Sequence, residues 1–225
     1  MLMKNVYSAF TGEAVMIELT GKKTINGYLI EVGSEVMIVY NGDDYIYIST
    51  SHIKNMAVVS KESIGIDEPS VSPQLEQEDQ LSLRKILTTA KGVFLEIYTT
   101  GNQSIHGYIT GIMNNYFAFY SPVYKTMYIS LQHLKWLIPY STNLSPYRLS
   151  KENLPVNPSN SITLARSFEV QLEKLSGHLV VLNLGVQEEM IGKIERVSDN
   201  IMELITAKGE STYLNMQHIQ TVHLP

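Results

Sequence analysis

The stretch Tyr128-Ile129-Ser130-Leu131-Gln132-His133-Leu134 decides the fold, because its pattern occurs three times in the chain. The other occurrences are Tyr47-Ile48-Ser49-Thr50-Ser51-His52-Ile53 and Tyr213-Leu214-Asn215-Met216-Gln217-His218-Ile219. Upstream of each stretch two glycines stand fifteen residues apart: Gly12 and Gly27, Gly92 and Gly107, Gly177 and Gly192. Three matches at nearly fixed offsets indicate an internal repeat, and a repeat has to be recognised before any fold is assigned.

The repeat divides the chain of 225 residues into three segments of similar plan. Repeat 1 covers residues 1–60, repeat 2 covers 80–140 and repeat 3 covers 161–225. An acidic linker (61–79) and a proline-containing linker (141–160) join them. Segments of about 60 residues bury little surface alone. We therefore expect the repeats to pack on one another or on another chain.

Each repeat reads as one helix followed by five short strands. Apolar residues at helical spacing predict helices over 1–10, 80–90 and 161–175. Short β-rich runs between turn residues predict the strands. Those strands are 15–19, 24–32, 36–40, 45–49 and 53–59 in repeat 1, 93–98, 105–113, 117–121, 125–130 and 134–138 in repeat 2, and 179–184, 190–197, 201–207, 211–215 and 219–224 in repeat 3. Gly27, Gly107 and Gly192 fall inside the second strands, where a glycine marks a bend or a close backbone approach.

This plan resembles the Sm-like small barrel, and repeat 3 is most similar to its bacterial Hfq branch. The resemblance is carried by Gly185-x₆-Gly192-Lys193-Ile194 and by Ile219-Gln220-Thr221-Val222. It implies a mainly β protein of three tandem Sm-like barrels, each with an N-terminal helix on a bent five-stranded antiparallel sheet. It also implies rings formed through edge strands four and five. The chain is similar, too, to a group of Sm-like-repeat proteins in spore-forming Bacillus relatives, some of them associated with spore coats.

The composition of the chain and the motifs that it lacks exclude several classes of function. The chain has no cysteine, so it holds neither disulfides nor a thiolate metal site. It has no apolar run long enough for a bilayer, and its first ten residues are too short and polar for a secretory signal. Gly-rich phosphate loops, G-x-S-x-G and His-Glu-x-x-His are missing as well. We expect a protein without catalytic residues, cofactor or metal, located in the cytoplasm or in a spore coat.

The three equivalent histidines, His52, His133 and His218, favour a structural role. In the ring-forming bacterial family, a Lys-His pair in the last turn contacts RNA. Here those positions hold Thr50-Ser51, Leu131-Gln132 and Met216-Gln217, so the pair is absent. No acidic or cysteine partner stands at ligand spacing, which disfavours a metal site. We expect the histidines to cap the turn or to bond to backbone.

Repeat 2 offers an alternative function, because it alone is basic. Residues 81–140 hold five Lys or Arg against Glu96, although the whole chain has a net charge of −5. Aromatic faces beside positive charge are how single-stranded nucleic acid is held without sequence reading. The candidate RNA-binding residues are Tyr116, Tyr120, Tyr124, Lys125 and Lys135. Strand alternation assigns Phe117 and Phe119 to the opposite, core face.

Open strand edges lead to the main functional hypothesis. A sheet that does not close exposes backbone groups that pair with other chains. The acidic charge, the absent Lys-His pair and the 14 tyrosines favour a non-enzymatic structural or assembly protein of the spore-coat type. Its expected partners are further copies of itself or coat-type proteins. The alternative is an RNA-binding module, and no membrane partner is expected.

Overall fold

A computed structural model describes residues 6–75, 81–101, 103–141, 145–149 and 162–225. This part of the chain is mainly β, as predicted, and its strand pairs are antiparallel. A strand is present at each of the fifteen predicted positions. The chain forms two compact units: Met1–Ser104 with Lys135–Thr142, and Ile105–Leu134 with Asn143–Pro225. The strands of repeat 2 are thus shared between the units.

The strands follow the order of the repeats. Repeat 1 holds β1 (Ala14–Leu19), β2 (Lys23–Val32), β3 (Val36–Tyr40), β4 (Tyr45–Ser49) and β5 (Ile53–Val58). Repeat 2 holds β6 (Phe94–Thr99), β7 (Ser104–Ile112), β8 (Tyr116–Ser121), β9 (Lys125–Ser130) and β10 (Leu134–Pro139). Repeat 3 holds β11 (Leu179–Leu182), β12 (Ile191–Ser198), β13 (Ile201–Ile205), β14 (Ser211–Asn215) and β15 (Thr221–His223).

The helices are shorter than the sequence predicts. A 3₁₀ helix, Val6–Phe10, opens repeat 1, and residues 1–5 of the predicted helix lie outside the described chain. The helices α1 (Lys61–Ile64), α2 (Leu83–Thr89) and α3 (Phe168–Lys174) follow. The helix predicted over 161–175 begins only at Phe168, because the Ser167 side chain caps it and accepts from the Val170 N–H at 3.5 Å. Residue 161 is outside the described range.

In the first unit the strand order is β6-β10-β4-β3-β2-β1-β5. Repeat 1 therefore has its fourth strand at one side and its fifth at the other. Its core is one apolar cluster, in which Ile17, Leu29 and Ile48 of repeat 1 are joined by Tyr98 and Trp136 of repeat 2. Residues of repeat 2 thus complete the core of this unit.

In the second unit the order is β14-β13-β12-β11-β15-β9-β8-β7. Repeat 3 shows the same arrangement as repeat 1, with strands four, three, two, one and five in sequence. Its core joins α3, through Phe168 and Leu172, to Leu204 and to Tyr116 and Tyr128 of repeat 2. Repeats 1 and 3 therefore share one strand order, and each unit adds strands of repeat 2 to it.

The glycines of the second strands allow the third strand to pass close by. A Cβ on Gly27 would lie 2.1 Å from the carbonyl oxygen of Tyr40, and one on Gly107 would lie 2.0 Å from that of Tyr120. The corresponding distance from Gly192 to the Ile205 oxygen is 2.4 Å. Each second strand also carries a register shift shortly after its glycine, the mark of a β-bulge that bends the strand.

The acidic linker is anchored to repeat 1 over its described part, residues 61–75. The Leu75 N–H donates to the Tyr47 hydroxyl at 2.9 Å, and Leu75 itself is buried. The Tyr45 hydroxyl donates to the carbonyl of Val71. The carboxylates remain exposed, so the linker is solvated on one side only. Residues 76–79, and 142–144 and 150–160 of the second linker, lie outside the described chain.

Candidate functional site

Two strand pairs join successive repeats, and both combine the same two kinds of strand. In the first unit β10 pairs with β4, with Leu137 opposite Tyr47. In the second unit β15 pairs with β9, with Val222 opposite Tyr128. In both cases the fifth strand of a repeat lies against the fourth strand of the preceding repeat. The residues that meet are equivalent, since Leu137 and Val222 each follow their repeat's histidine by four positions.

In the fourth strands, alternate residues direct their backbone N–H and C=O groups toward the next repeat. In β9 the Leu131 N–H donates to the Asn115 carbonyl at 2.9 Å, so alternate residues of the strand face β8. The residues between them, Tyr128 and Ser130, direct their backbone groups away from β8. The Ser130 N–H accordingly donates to the Gln220 carbonyl, just ahead of β15, at 2.9 Å. A fourth strand thus offers one row of backbone groups to the next repeat.

The corresponding row of β14 has no partner strand within the described residues, because β14 ends the strand order of its unit. The Met216 N–H donates to the Asn200 carbonyl and the Thr206 N–H to the Glu210 carbonyl, both at 2.9 Å. By alternation, Ser211, Tyr213 and Asn215 direct their backbone groups outward. β14 is therefore an open fourth-strand edge.

The fifth strand of repeat 1 is open in the same way. In the described chain β5 pairs with β1 and ends the strand order of its unit. The Val59 N–H donates to the Ala14 carbonyl at 2.9 Å, which places the outward backbone groups of β5 at Met56 and Val58. Met56 follows His52 by four positions, as Leu137 and Val222 follow their histidines. The two open edges are thus of the two kinds that pair inside the chain.

A second contact between repeats is made by α3, which covers the face of β8. The Tyr116 hydroxyl lies 2.8 Å from the Ala165 carbonyl and 2.9 Å from Oε1 of Gln171. The Phe168 N–H donates to Oδ1 of Asn115 at 2.8 Å. Burial raises the pKa of the Tyr116 hydroxyl to about 12, so it stays protonated and able to donate. The helix of repeat 3 is thus bonded to the third strand of repeat 2.

The start of α2 makes the equivalent contact with repeat 1. The Leu83 N–H donates to Oε2 of Glu35 at 3.2 Å, as Phe168 does to Asn115. Glu35 and Asn115 each come just before their repeat's third strand. A Cβ on Gly33 would lie 2.1 Å from the Leu81 carbonyl oxygen, so this approach is close enough to require glycine. The helix of one repeat therefore docks on the preceding repeat in both units.

On repeat 3 the equivalent face is uncovered in the described chain. It forms a groove of about 290 Å³ lined by Arg196, Ser198, Asp199, Ile201, Glu203 and Tyr213. The equivalent tyrosines show the difference: Tyr47 is 2% exposed and Tyr128 is 4% exposed, whereas Tyr213 is 63% exposed. Ile201 is exposed as well, although Val36 and Tyr116, at the same position, are buried.

The three histidines lie in three different environments. His52 is buried, and its Nδ1 lies 3.1 Å from the Thr20 hydroxyl. His133 places Nε2 2.8 Å from the Gln217 carbonyl, next to the last turn of repeat 3. Burial lowers the pKa of His133, the Gln217 carbonyl opposes that shift, and the neighbouring His218 adds to it. His218 is exposed, so the repeat does not bring the histidines into one shared setting.

The structure does not assemble the five candidate RNA-binding residues into one accessible surface. Tyr116 and Tyr120 are buried, because β8 is covered on both faces, which the alternation argument did not anticipate. Lys135 is buried in the first unit, and burial together with Lys23 lowers its pKa. Lys125 is exposed, but its Nζ donates to the Pro122 carbonyl at 3.1 Å. Tyr124 is half-buried against His223, with ring centroids 5.6 Å apart.

Sequence reasoning missed the surroundings of Lys135. Its Nζ lies 5.7 Å from the ring centroid of Tyr98, and Nζ of Lys23 lies 5.5 Å from the same centroid. Trp136 stacks on Tyr98 with centroids 3.9 Å apart and planes 7° apart. The Tyr98 hydroxyl is buried, and the part of the chain that the structure describes offers it no hydrogen-bond partner. No signal in the sequence separated this cluster from ordinary core aromatics.

Among the residues that the structure describes, no three His, Cys, Asp or Glu side chains lie close enough together to hold a metal ion. In the same part of the chain, every helix is too short or too polar to cross a bilayer.

Comparison with known proteins supplies the family. The model of the YwrJ third domain matches residues 167–222, which run from the α3 cap into β15. An uncharacterised protein YwrJ of Bacillus subtilis (strain 168) is 40% identical over 221 residues, covering 96% of this chain and 97% of the relative. At that identity and coverage the chain belongs to the YwrJ family.

Proposed function

We propose that this protein is a non-enzymatic assembly protein that adds copies of itself through its open strands. The proposal rests on one observation: the chain joins its own repeats by fourth-to-fifth strand pairing, and among the described residues one strand of each kind, β14 and β5, has no further partner strand. Unpaired strand edges are templates for further pairing. A contact between two different edges is heterologous, so it generates rings or filaments.

The internal pairs specify the register between two copies. Because Leu137 lies opposite Tyr47 and Val222 opposite Tyr128, Met56 of one copy would lie opposite Tyr213 of the other. One step along, His223 lies opposite Met127. The equivalent positions are Ala57 and Thr212, which follow and precede their histidines by the same five and six residues. The outward phase of β5 and β14 agrees with this register.

Cysteine cross-linking tests the register directly, since the chain contains no cysteine. Ala57→Cys and tagged Thr212→Cys chains are mixed and oxidised, and the mixed disulfide is scored. Residues opposite each other between backbone bonds have Cα atoms about 4.5 Å apart, within disulfide reach. The matched control is Tyr213→Cys with Ala57→Cys, because neighbouring strand residues point to opposite faces. A mixed disulfide with Thr212→Cys alone supports the proposal, whereas a strict monomer at high concentration with no disulfide overturns it.

The finer parts of the proposal are the Sm-like character of the repeats and a place in the spore coat. The common strand order of repeats 1 and 3 and the bulged second strands support the first. Resemblance to a group of Sm-like-repeat proteins in spore-forming Bacillus relatives, some of them associated with spore coats, supports the second. A fluorescent fusion followed through sporulation tests it: a signal that stays diffuse in the mother cell would exclude the coat.

A further inference from the structure

We propose that the groove of repeat 3 binds the Val6–Phe10 helix of a second copy, so that repeat 1 of that copy contacts repeat 3 as repeat 3 contacts repeat 2. This inference rests on the assembly function proposed above, and it names a second surface. The groove is the Arg196, Ile201, Glu203 and Tyr213 face described above. Its occupant follows from how α2 and α3 sit on the preceding repeats.

The first helix lacks the burial that its equivalents have. Val6, Ile86 and Gln171 each stand six residues before the first glycine of their repeat. Ile86 and Gln171 are 0% exposed, whereas Val6 is 80% exposed. Gln171 is the residue whose Oε1 meets the Tyr116 hydroxyl of the preceding repeat at 2.9 Å. Val6 therefore occupies the position that faces a preceding repeat, and within the described chain nothing covers it.

The exposed residues on the two sides are chemically matched. Where repeat 3 places polar Gln171 against polar Tyr116, repeat 1 has Val6 and the groove has Ile201, both apolar and both exposed. Tyr7 and Phe10 of the same helix already pack on the core of repeat 1. The helix can thus keep its own contacts while its outer side enters the groove, as α3 does between repeats 2 and 3.

Both proposed contacts are made by a following repeat on the repeat that precedes it. Inside the chain, a following repeat gives the preceding repeat both its fifth strand and its helix: β15 and α3 reach β9 and β8. The same pair of contacts from a second copy would bring β5 to β14 and Val6 to Ile201. One docking event would therefore cover Val6, Ile201 and Tyr213, three of the exposed large apolar residues of the described chain.

Mixed single-cysteine chains test the inference. Val6→Cys chains are combined with tagged Ile201→Cys chains and treated with a short bis-maleimide. Val71→Cys serves as the matched control, because Val71 is nearly as exposed as Val6, 73% against 80%, but lies on the linker. We expect the mixed product from Val6→Cys at least tenfold above that from Val71→Cys. In a second test Ser198→Cys replaces Ile201→Cys as the cysteine in the groove. Its excess of product with Val6→Cys over that with Val71→Cys should be lost when Ile201→Asp is added to the same chain.

The results separate this inference from the assembly function. A Thr212–Ala57 disulfide without the Val6–Ile201 product would overturn the groove contact and leave strand addition standing. Failure of both, with monomers throughout, would overturn both proposals. Equal products from Val6→Cys and Val71→Cys would show random collision and would also exclude the groove.

Discussion

The hydroxyl of Tyr116 lies 2.9 Å from Oε1 of Gln171, and the two residues belong to different repeats. Both side chains are fully buried, and the Ala165 N–H donates to the same Gln171 oxygen at 2.7 Å. The link between repeats 2 and 3 therefore contains a hydrogen-bonded centre within an apolar layer. Such a centre makes the contact specific, because each partner is costly to leave unbonded.

Tyr116→Phe should destabilise the protein by about 1–3 kcal/mol, since it removes a buried hydroxyl that bonds the Ala165 carbonyl and leaves Oε1 of Gln171 with the Ala165 N–H as its donor. Urea unfolding followed by circular dichroism measures the change. Tyr213→Phe is the control, because that hydroxyl reaches Glu203 on the exposed edge at 3.3 Å, and we expect a shift below about 0.5 kcal/mol. Equal shifts for the two variants would contradict the assignment.

Gly107→Ala should destabilise by more than the typical 1–3 kcal/mol of an overpacked core, because the new Cβ would lie 2.0 Å from a backbone oxygen that cannot rotate away. Thermal unfolding gives the comparison. The comparison variant is Gly209→Ala, whose new Cβ would meet no atom within 4 Å. It should cost only the strain of φ +79, about 1–2 kcal/mol. If Gly107→Ala proves as mild as Gly209→Ala, the strands are less closely packed at the bend than described.

Acid should weaken the contact between repeats 2 and 3 through His133. Its pKa in the folded state is lowered from 6.5, by burial first and by His218 in addition. The unfolded chain therefore binds the proton more readily, and stability falls as the pH drops through 6.5. Unfolding midpoints between about pH 8 and pH 5 measure the slope. His133→Gln should flatten that slope, whereas His218→Gln, at an exposed site, should leave most of it.

Single-stranded RNA should show no salt-dependent binding, because Tyr116, Tyr120 and Lys135 are buried. Fluorescence anisotropy at about 50 mM and about 200 mM salt is the measurement, since phosphate contacts weaken steeply with salt. Binding that falls with salt would favour the RNA alternative. Lys125→Glu would then weaken it, because Lys125 is exposed, while Lys135→Met would change it little.

The strands could be predicted from sequence because their signals are local. Turn residues such as Asn41-Gly42, and the glycine at position 27, fix the first repeat within one or two residues of the observed bounds. Burial could not be predicted in the same way. Alternation predicted one covered face for β8, but α3, which belongs to the next repeat, covers the other. The exposed Val6 and Ile201 become informative only when their burial is compared with that of their equivalents.

The position of β10 has a consequence for the order in which the chain matures on the ribosome. Its residues Lys135–Pro139 supply the strand that pairs with β4, yet 30 residues of the other unit, Ile105–Leu134, are made before them. Nascent domains generally fold from the N-terminus as they emerge. Here the first unit must wait for β10, with the β4 edge open to pairing by a neighbouring nascent chain. A pause in translation shortly after residue 104 would prolong that interval. The interval ends once Tyr140 has emerged, because β10 can then pair with β4.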